Sequence, residues 1–245
     1  MIKQHKIFVI ACVLFSLSAG IDCNKQVSRN WMARVVVYCP NKIHTTIQTM
    51  QDGSTITNTF TYEDANGNGR LTKMESTSST TGKTTTTTFD YSITGKVIET
   101  FTPSSSPPIT FTLNDQGLAI SDDRSGGGAT YTYDNNSFCV QSIYPGYEDD
   151  RTIQNDNISL EKQIFSDPSR NTQTSYVPDP STACADNGMW FLGSITKNFH
   201  LSQVVTDANG NATTTNYINE KDSNGRVSKQ TRTGGINDVV IYTYY

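Results

Sequence analysis

A period of two runs through Ile56-Thr57-Asn58-Thr59-Phe60-Thr61-Tyr62, where the larger side chains fall on alternate positions. Successive side chains of a β-strand point to opposite faces, so this period predicts a strand with one apolar face and one threonine face. Residues 84–91 and 239–245 repeat the pattern. Threonine is β-branched and tolerates water, and a threonine face therefore suits a sheet that is solvated on one side.

The strand pattern recurs along the chain at nearly regular intervals. Segments related to the one that starts at Thr59 begin at Thr88, Thr110, Thr130 and Thr152, and these four starts are 22, 20 and 22 residues apart. A period of this length corresponds to one β-hairpin per repeat. The sequence therefore predicts an all-β fold, a meander of antiparallel β-hairpin repeats that forms an extended twisted sheet.

The turns carry motifs that resemble a known repeat family. The segment Asp222-Ser223-Asn224-Gly225-Arg226-Val227-Ser228-Lys229 resembles the D-x-x-G-R-[LV]-[TS]-K signature of YD repeats, and residues 64–73 are a variant with two extra turn residues. Tyr133-Asp134 has the dipeptide that names these repeats. Residues 55–245 are thus similar to the YD-like, Rhs-related, threonine-rich repeat domain of Bacteroidetes secreted proteins and lipoproteins. The resemblance implies a hairpin meander in a family of largely unknown function.

The first residues have the layout of a secretory signal. Lys3 and Lys6 give a basic start, residues 7–17 form an apolar run of 11 residues, and residues 18–20 are small. A run of this length is too short to cross a bilayer as a helix, and small residues precede the site of signal peptidase cleavage. We predict cleavage after Gly20 and export, with an extracellular or outer-membrane and cell-surface location. No later stretch has the length and apolar character of a transmembrane helix.

Cys23 offers a lipid anchor as an alternative to plain secretion. Bacterial lipoproteins are cut just before a cysteine that is then acylated, and Cys23 is the candidate for that modification. Ile21 and Asp22, which precede it, are larger than the small residues usual at such a site. Secretion and lipid anchoring both remain open from the sequence.

The chain is divided by these patterns into three parts. Residues 1–20 are the predicted signal peptide, residues 21–54 an N-terminal segment, and residues 55–245 the repeat domain. Within that domain, residues 166–200 break the rhythm with three prolines and the cluster Met189-Trp190-Phe191-Leu192. We interpret this stretch as an irregular insertion that packs Trp190 and Phe191 into the core, with a short helix near residues 194–201.

The cysteine count favours disulfide bonds in an exported protein. Cys12 lies in the predicted signal, which leaves Cys23, Cys39, Cys139 and Cys184 as disulfide candidates. An even number of cysteines in an oxidising compartment is consistent with two bridges, although sequence alone does not determine the pairing. We favour Cys139 with Cys184 and Cys23 with Cys39, because each pair would tie an irregular segment to a nearby strand.

The charge balance excludes one class of partner. The formal net charge of −4 becomes −6 once Lys3 and Lys6 are removed with the signal. Nucleic-acid binding requires a basic patch that displaces counterions, and the chain has no run of Lys or Arg. A glycan or a protein is the expected partner, and no nucleic acid.

The sequence contains few residues that could form a catalytic site. Outside the signal, the histidines are His44 and His200, which lie in unrelated segments, and no Gly-x-Ser-x-Gly elbow accompanies them. The densest acidic cluster includes Glu148 and Asp149, which follow Pro145-Gly146 and are interpreted as a solvated turn. Glycosidases need two carboxylates across a cleft, so this pair is the candidate for an alternative function as a secreted hydrolase. No motif for a cofactor is present, and residues 126–128 are interpreted as a flexible hairpin tip.

One turn fits a calcium-loop pattern. Asp64-Ala65-Asn66-Gly67-Asn68-Gly69 followed by Glu75 matches D-x-[DN]-x-[DN]-G-x5-E. Its flanks are threonine-rich strands, whereas the calcium loop needs a helix, and residues 222–227 repeat the turn without the calcium spacing. We interpret residues 64–75 as a hairpin turn without a metal. The sequence as a whole predicts a non-catalytic secreted or cell-envelope protein with a binding or scaffolding role.

Overall fold

The computed structural model describes residues 41–64, 69–104, 106–194 and 196–245, which form sixteen β-strands. The strands are β1 (Ile43–Met50), β2 (Thr55–Tyr62), β3 (Leu71–Ser78), β4 (Thr84–Asp90), β5 (Lys96–Thr102), β6 (Ile109–Leu113), β7 (Ala119–Asp122), β8 (Thr130–Tyr133), β9 (Cys139–Tyr144), β10 (Tyr147–Gln154), β11 (Asn157–Phe165), β12 (Thr172–Pro178), β13 (His200–Asp207), β14 (Ala212–Lys221), β15 (Val227–Gly234) and β16 (Asp238–Tyr244). Pro168–Arg170 and Trp190–Leu192 form single 3-10 turns. Among the described residues, no helix has the length and apolar character needed to span a bilayer. The all-β class predicted from the sequence is confirmed.

The sheet closes on itself. Each strand pairs antiparallel with its neighbours in sequence, and β1 pairs with β16, where Ile47 lies opposite Ile241. The predicted extended, open sheet is therefore wrong, and the structure is a closed antiparallel barrel. The closing strand β1 lies within residues 21–54, outside the predicted repeat domain. Closure leaves neither β1 nor β16 as an exposed edge, which removes a template for aggregation.

The alternation of side chains separates an inner from an outer surface. On β4, Thr87 and Phe89 are buried in the barrel, whereas Thr88 and Asp90 are exposed on its outside. The period of two in the sequence thus encodes which residues face the lumen. The threonine face predicted for these strands is the outer wall of the barrel.

The apolar core fills the barrel interior on the side of β2 to β8. Phe191 lies at its centre, is 1% exposed, and its ring centroid is 5.0 Å from that of Phe111 and 6.1 Å from that of Phe89. Leu71 and Val97 are fully buried in the same cluster. The burial of Phe191 agrees with the core role predicted for it, and truncation of such a residue to alanine costs about 3–5 kcal/mol.

Phe191 belongs to the connection between β12 and β13, residues 179–199, which we call the plug segment. This segment crosses one end of the barrel and is tied to the rim by hydrogen bonds from several strands. The Ile43 amide donates to the Asp186 carbonyl at 3.0 Å, and the Ser194 amide donates to the Ser137 carbonyl at 2.7 Å. The Lys197 amide donates to the Asp156 carbonyl at 2.9 Å. The helical turn of the insertion lies at Trp190–Leu192, and β13 already begins at His200.

Candidate functional site

The two ends of the barrel differ in how they are covered. The plugged end carries the plug segment, whereas at the other end, the open end, the described connections contain only two to seven residues, such as 145–146 and 123–129. An interior that is reached from one end is the part of this molecule with the shape of a binding site. The inward side chains near the open end are therefore the candidate functional residues.

Arg151 organises a polar cluster on the inner wall at β9 to β11. Its guanidinium donates from Nε to Glu161 at 2.8 Å, from Nη1 to the Ser142 hydroxyl at 3.0 Å, and from Nη2 to Asp149 at 3.3 Å. The Tyr176 hydroxyl also contacts Glu161, at 3.1 Å. Both carboxylates are thus engaged by one cation, an arrangement that stabilises the wall rather than leaving a free acid–base pair.

Asp149 retains one unsatisfied oxygen in this cluster. The residue is 5% exposed, and its Oδ1 atom is buried without a hydrogen-bond partner. Burial raises the pKa of Asp149, and Arg151 offsets this only in part. A buried carboxylate oxygen without a donor is a place where water or a ligand hydroxyl would be bound favourably.

A second charged group lies at the mouth of the open end. Asp122 accepts hydrogen bonds from the Arg124 guanidinium, from the Tyr131 hydroxyl at 2.6 Å and from the Ala129 amide at 2.9 Å. Burial alone raises the pKa of Asp122, but the hydrogen bonds from Arg124 and Tyr131 outweigh it, so that the pKa lies below its usual value. The Asp122–Arg124 pair is consequently internally neutralised.

A row of aromatic rings continues from Arg124 along the mouth. The guanidinium carbon of Arg124 lies 5.0 Å from the ring centroid of Tyr144, which stacks on Tyr147 at 4.5 Å. Tyr147 stacks on Phe165 at 5.3 Å, and Arg170 lies 4.4 Å from the Phe165 centroid. The three stacked rings and the two arginines form a continuous series of cation–π and stacking contacts, which stabilises this part of the rim.

A pocket of about 390 Å³ opens beside Arg124, between β4, β5 and β6. Its apolar lining includes Phe101 and Ile109, and its polar lining includes Thr85 and Thr87. The volume lies in the range of pockets that bind small molecules, roughly 300–1,000 Å³. Sequence reasoning missed these residues. The signal that was available is a polar residue on a buried strand face, as with Thr87 two positions before Phe89 on β4.

The acidic pair considered for hydrolysis does not form a site. Glu148 and Asp149 lie on strand β10 rather than in a solvated turn, so that interpretation is wrong. Adjacent strand residues face opposite sides of the wall: Asp149 is buried inside, and Glu148 lies opposite Ile143 and Ile164 on the outside. Two carboxylates separated by the barrel wall cannot act on one glycosidic bond.

The two histidines lie in different environments. His44 packs against Tyr245 on the β1 side, with ring centroids 4.6 Å apart. His200 faces inward, stacks on Tyr176 at 4.6 Å, and its buried Nε2 atom has no hydrogen-bond partner. Burial lowers the pKa of His200, so the neutral imidazole is favoured. Neither ring is placed beside a serine nucleophile and a carboxylate in the contacts described.

The favoured disulfide pairing is wrong for the cysteines that can be checked. Cys139 is a free cysteine whose Sγ lies 3.6 Å from Arg151 and 3.3 Å from the Ser142 hydroxyl. It is therefore not bonded to Cys184. Cys23 and Cys39, the other predicted pair, lie outside the described residues. The prediction that Cys23 carries a lipid lies outside them as well.

The calcium-like turn connects β2 and β3 at the plugged end, and part of it lies outside the described residues. Glu75, the last residue of the pattern, lies well inside β3 and forms an ion pair of 3.0 Å with Lys73 on the outer wall. A strand advances about 3.3 Å per residue, so the five residues from Arg70 carry Glu75 roughly 16 Å from the turn. Glu75 and Asp64 are thereby separated along β3. Residues 126–128, interpreted as a flexible tip, form part of the β7–β8 connection at the open end.

Charged residues lie on the outer wall near the middle of several strands. Lys73 and Glu75 lie on β3, and Asp150 of β10 lies opposite Lys162 of β11. Large apolar side chains are interspersed on this surface: Ile218, at 60% exposure, has Thr231 opposite it, whereas Ile47 and Ile241 lie opposite each other across the β1–β16 seam. Threonine occupies most outward positions of β2 and β4, namely Thr55, Thr57, Thr59, Thr61, Thr84, Thr86 and Thr88.

Comparison with known proteins finds solved structures with a similar architecture. No family model and no curated protein matches the chain. A porin-like protein from Bacteroides uniformis matches with a TM-score of 0.63 and 16% identity, over 84% of this chain and 99% of that one. A porin-like protein from Bacteroides vulgatus matches with a TM-score of 0.52 and 12% identity, over the same shares of 84% and 99%. The fold is that of a porin-like barrel.

The resemblance to YD repeats is corrected by this likeness. The turn at residues 222–227 is a β14–β15 hairpin in which Asp222 accepts hydrogen bonds from the amide and the guanidinium of Arg226, at 2.9 and 2.8 Å. These bonds explain why Asp and Arg recur at such turns, whatever the larger structure. A turn motif specifies a hairpin and does not specify whether hairpins assemble into an open sheet, a shell or a porin-like barrel.

Proposed function

We propose that this protein is a non-catalytic, exported barrel of the cell envelope that lies in water and binds a ligand through its open end. The observation that carries the proposal is the pocket at the open end: the plug segment covers one end, and at the other a pocket of about 390 Å³ opens between β4, β5 and β6. A glycan or a protein remains the expected class of partner. The porin-like neighbours support the cell envelope as the location and a role other than catalysis.

The outer wall favours water rather than lipid around the barrel. Membrane barrels carry an outward apolar band about 25 Å tall, and a charge near its middle costs roughly 2–4 kcal/mol for Lys or Arg. Here Lys73, Glu75, Asp150 and Lys162 lie on the outward face at mid-strand. Such a wall is stable against solvent and unfavourable against hydrocarbon.

Strand length supports the same conclusion. A strand that crosses a bilayer needs about 9–11 residues at the usual tilt. The strands of this barrel have 4 to 10 residues, and only β11 and β14 have nine or more. Most of these strands are therefore shorter than a strand that crosses the hydrocarbon core of a membrane.

A channel is the second candidate function, favoured by the description of both structural neighbours as porin-like. In a channel the interior connects two openings. The plug segment opposes this function because Phe191 is 1% exposed and packs on three inward aromatic residues, which are Phe89, Tyr91 and Phe111. Conduction would require this packed cluster to leave the interior.

Detergent partitioning and bilayer conductance test the proposal together. The full chain with Cys23→Ala, which prevents acylation, should partition into the aqueous phase of a Triton X-114 separation and remain monomeric without detergent. The same protein should leave the conductance of a planar bilayer unchanged. Recovery in the detergent phase together with discrete conductance steps would establish the channel instead.

A further inference from the structure

We propose that the open-end pocket between β4, β5 and β6 is a subsite for one uncharged sugar ring. This inference rests on the proposed function as a ligand-binding barrel and specifies its ligand. The pocket encloses about 390 Å³ and combines one exposed aromatic side chain with several hydroxyl groups. A pyranose has the same division, with C–H groups on its faces and hydroxyl groups around its edge.

Thr87 provides the first polar contact. It lines the pocket, is 6% exposed, and its hydroxyl makes no hydrogen bond with the described residues. Its neighbours on the outer wall do find partners, as Thr77 and Thr84 do with hydroxyl oxygens 2.8 Å apart. Thr87 Oγ1 is not among the fully buried polar atoms that lack a partner, so the hydroxyl remains accessible from the pocket. Thr87 is therefore placed to bond a ligand hydroxyl.

Glu99 is a charged neighbour of the pocket, adjacent to the lining residues Phe101 and Ile109 but not itself part of the lining. It lies on the same face of β5 as Phe101 and is paired across the sheet with Ile109 and Phe89. Its carboxyl group forms no hydrogen bond or ion pair with the described residues, and burial raises its pKa. Because Glu99 does not line the pocket, it influences a ligand there through its charge.

The apolar lining fits the face of a sugar ring. Phe101 is 37% exposed although it points into the barrel mouth, and Ile109, Pro103 and Pro107 complete the apolar side. An exposed phenyl ring at a pocket wall gains from contact with ligand C–H groups. Pro103 and Pro107 have fixed φ angles, which lowers the conformational entropy that these two residues can lose on binding.

The charges select an uncharged ligand. Arg124 is the cation of the lining, and its guanidinium is already hydrogen-bonded to Asp122 and to the Tyr131 hydroxyl at 2.9 Å. Glu99 is left as the unpaired charge beside the pocket. A phosphate or a carboxylate would be repelled by Glu99 and would have to compete with Asp122 for Arg124.

Saturation-transfer NMR on the full chain tests the subsite with defined probes. These are the methyl glycosides of glucose, galactose, mannose and N-acetylglucosamine, with glucuronic acid and a sugar phosphate as anionic comparators. We expect at least one neutral glycoside to bind with millimolar affinity and the anionic probes to bind more weakly. Absence of binding by every neutral glycoside, or preference for an anionic probe, would overturn the proposal.

Three substitutions assign the binding to this pocket. Thr87→Val removes the hydroxyl at constant size and should weaken binding about fivefold, the effect of one hydrogen bond. Phe101→Ala should weaken it about tenfold, through loss of the aromatic contact. Thr88→Val, on the outer wall next to Thr87, is the matched control and should leave affinity unchanged. Equal affinity of the Thr87→Val protein and the Thr88→Val protein, with both folded by circular dichroism, would place the sugar elsewhere.

These outcomes are distinguishable from failure of the proposed function. A protein that stays in the aqueous phase and binds an anionic sugar would retain the function and lose the neutral-sugar subsite. A protein that enters the detergent phase and conducts ions would lose the proposed function, whatever its affinity for glycosides.

Discussion

Gly117 lies directly beneath the indole ring of Trp190: a Cβ atom at Gly117 would be 2.6 Å from Cζ3 of Trp190. Gly117 also has a φ of +79°, which side chains rarely adopt. The contact joins the β6–β7 turn to the plug segment. The plug therefore fits the rim only where the turn has no side chain.

We expect Gly117→Ala to destabilise the fold by about 2–4 kcal/mol, the sum of left-handed strain and overpacking against the indole ring. The measurement is urea unfolding followed by tryptophan fluorescence. Gly95→Ala is the matched control, because Gly95 has a φ of +74° and a Cβ atom added there would meet nothing within 4 Å. Its loss should be only about 1–2 kcal/mol. Equal losses for the two variants would show that the plug does not rest on this turn.

Much of the barrel wall could be predicted from local patterns, but its closure could not. The alternation in residues 56–62 correctly indicated a strand, because side-chain period and strand geometry are the same property. The pairing of Ile47 with Ile241 joins the two ends of the described chain. No local pattern encodes such a pairing, and a hairpin period is identical in an open sheet and in a barrel.

The interior could be predicted in part. Phe191 is expected in the core and is 1% exposed, because large aromatic residues in a folded domain are usually buried. The contact between Arg151 and Glu161 could not be predicted, since they come together only through the register of β10 and β11. Sequence spacing gives the face of a strand, while register decides which charges become partners.

A cross-link between the terminal strands tests closure. Thr45 and Thr243 face each other on the outer wall across β1 and β16, with their hydroxyl oxygens 2.7 Å apart. We expect Thr45→Cys with Thr243→Cys to form a disulfide on mild oxidation, because opposed strand positions bring Cβ atoms within bonding range. Peptide mapping before and after reduction would detect it. Thr88→Cys with Thr231→Cys, on strands that are not neighbours, should give no link, and an unlinked first pair would support an open sheet.

Alkylation of the native protein tests the state of Cys139. The thiol is free and half-buried on the inner wall beside Arg151. Iodoacetamide without reductant should therefore label Cys139, and mass spectrometry should find the adduct on the peptide that contains it. Labelling should be slower than in urea, because the barrel wall restricts access. A Cys139 that becomes reactive only after reduction would contradict the structure.

The pH dependence of stability tests the unpaired carboxyl of Glu99. Burial raises its pKa above the ordinary value of 4.5, so the folded protein retains a proton that the unfolded chain has released. Stability therefore falls as pH rises from about that value through the folded pKa, and the loss persists at neutral pH.

Glu99→Gln removes this ionisation and should be more stable than the natural protein at pH 7, by about 1 kcal/mol. Below about pH 4 the two proteins should be nearly equal, because both side chains are then uncharged. Glu148→Gln, the same exchange on the outer wall, is the matched control. Urea unfolding across the acidic to neutral range would measure the three curves, and a difference between the natural protein and Glu99→Gln that does not grow with pH would mean that the Glu99 carboxylate is solvated or paired in the folded barrel.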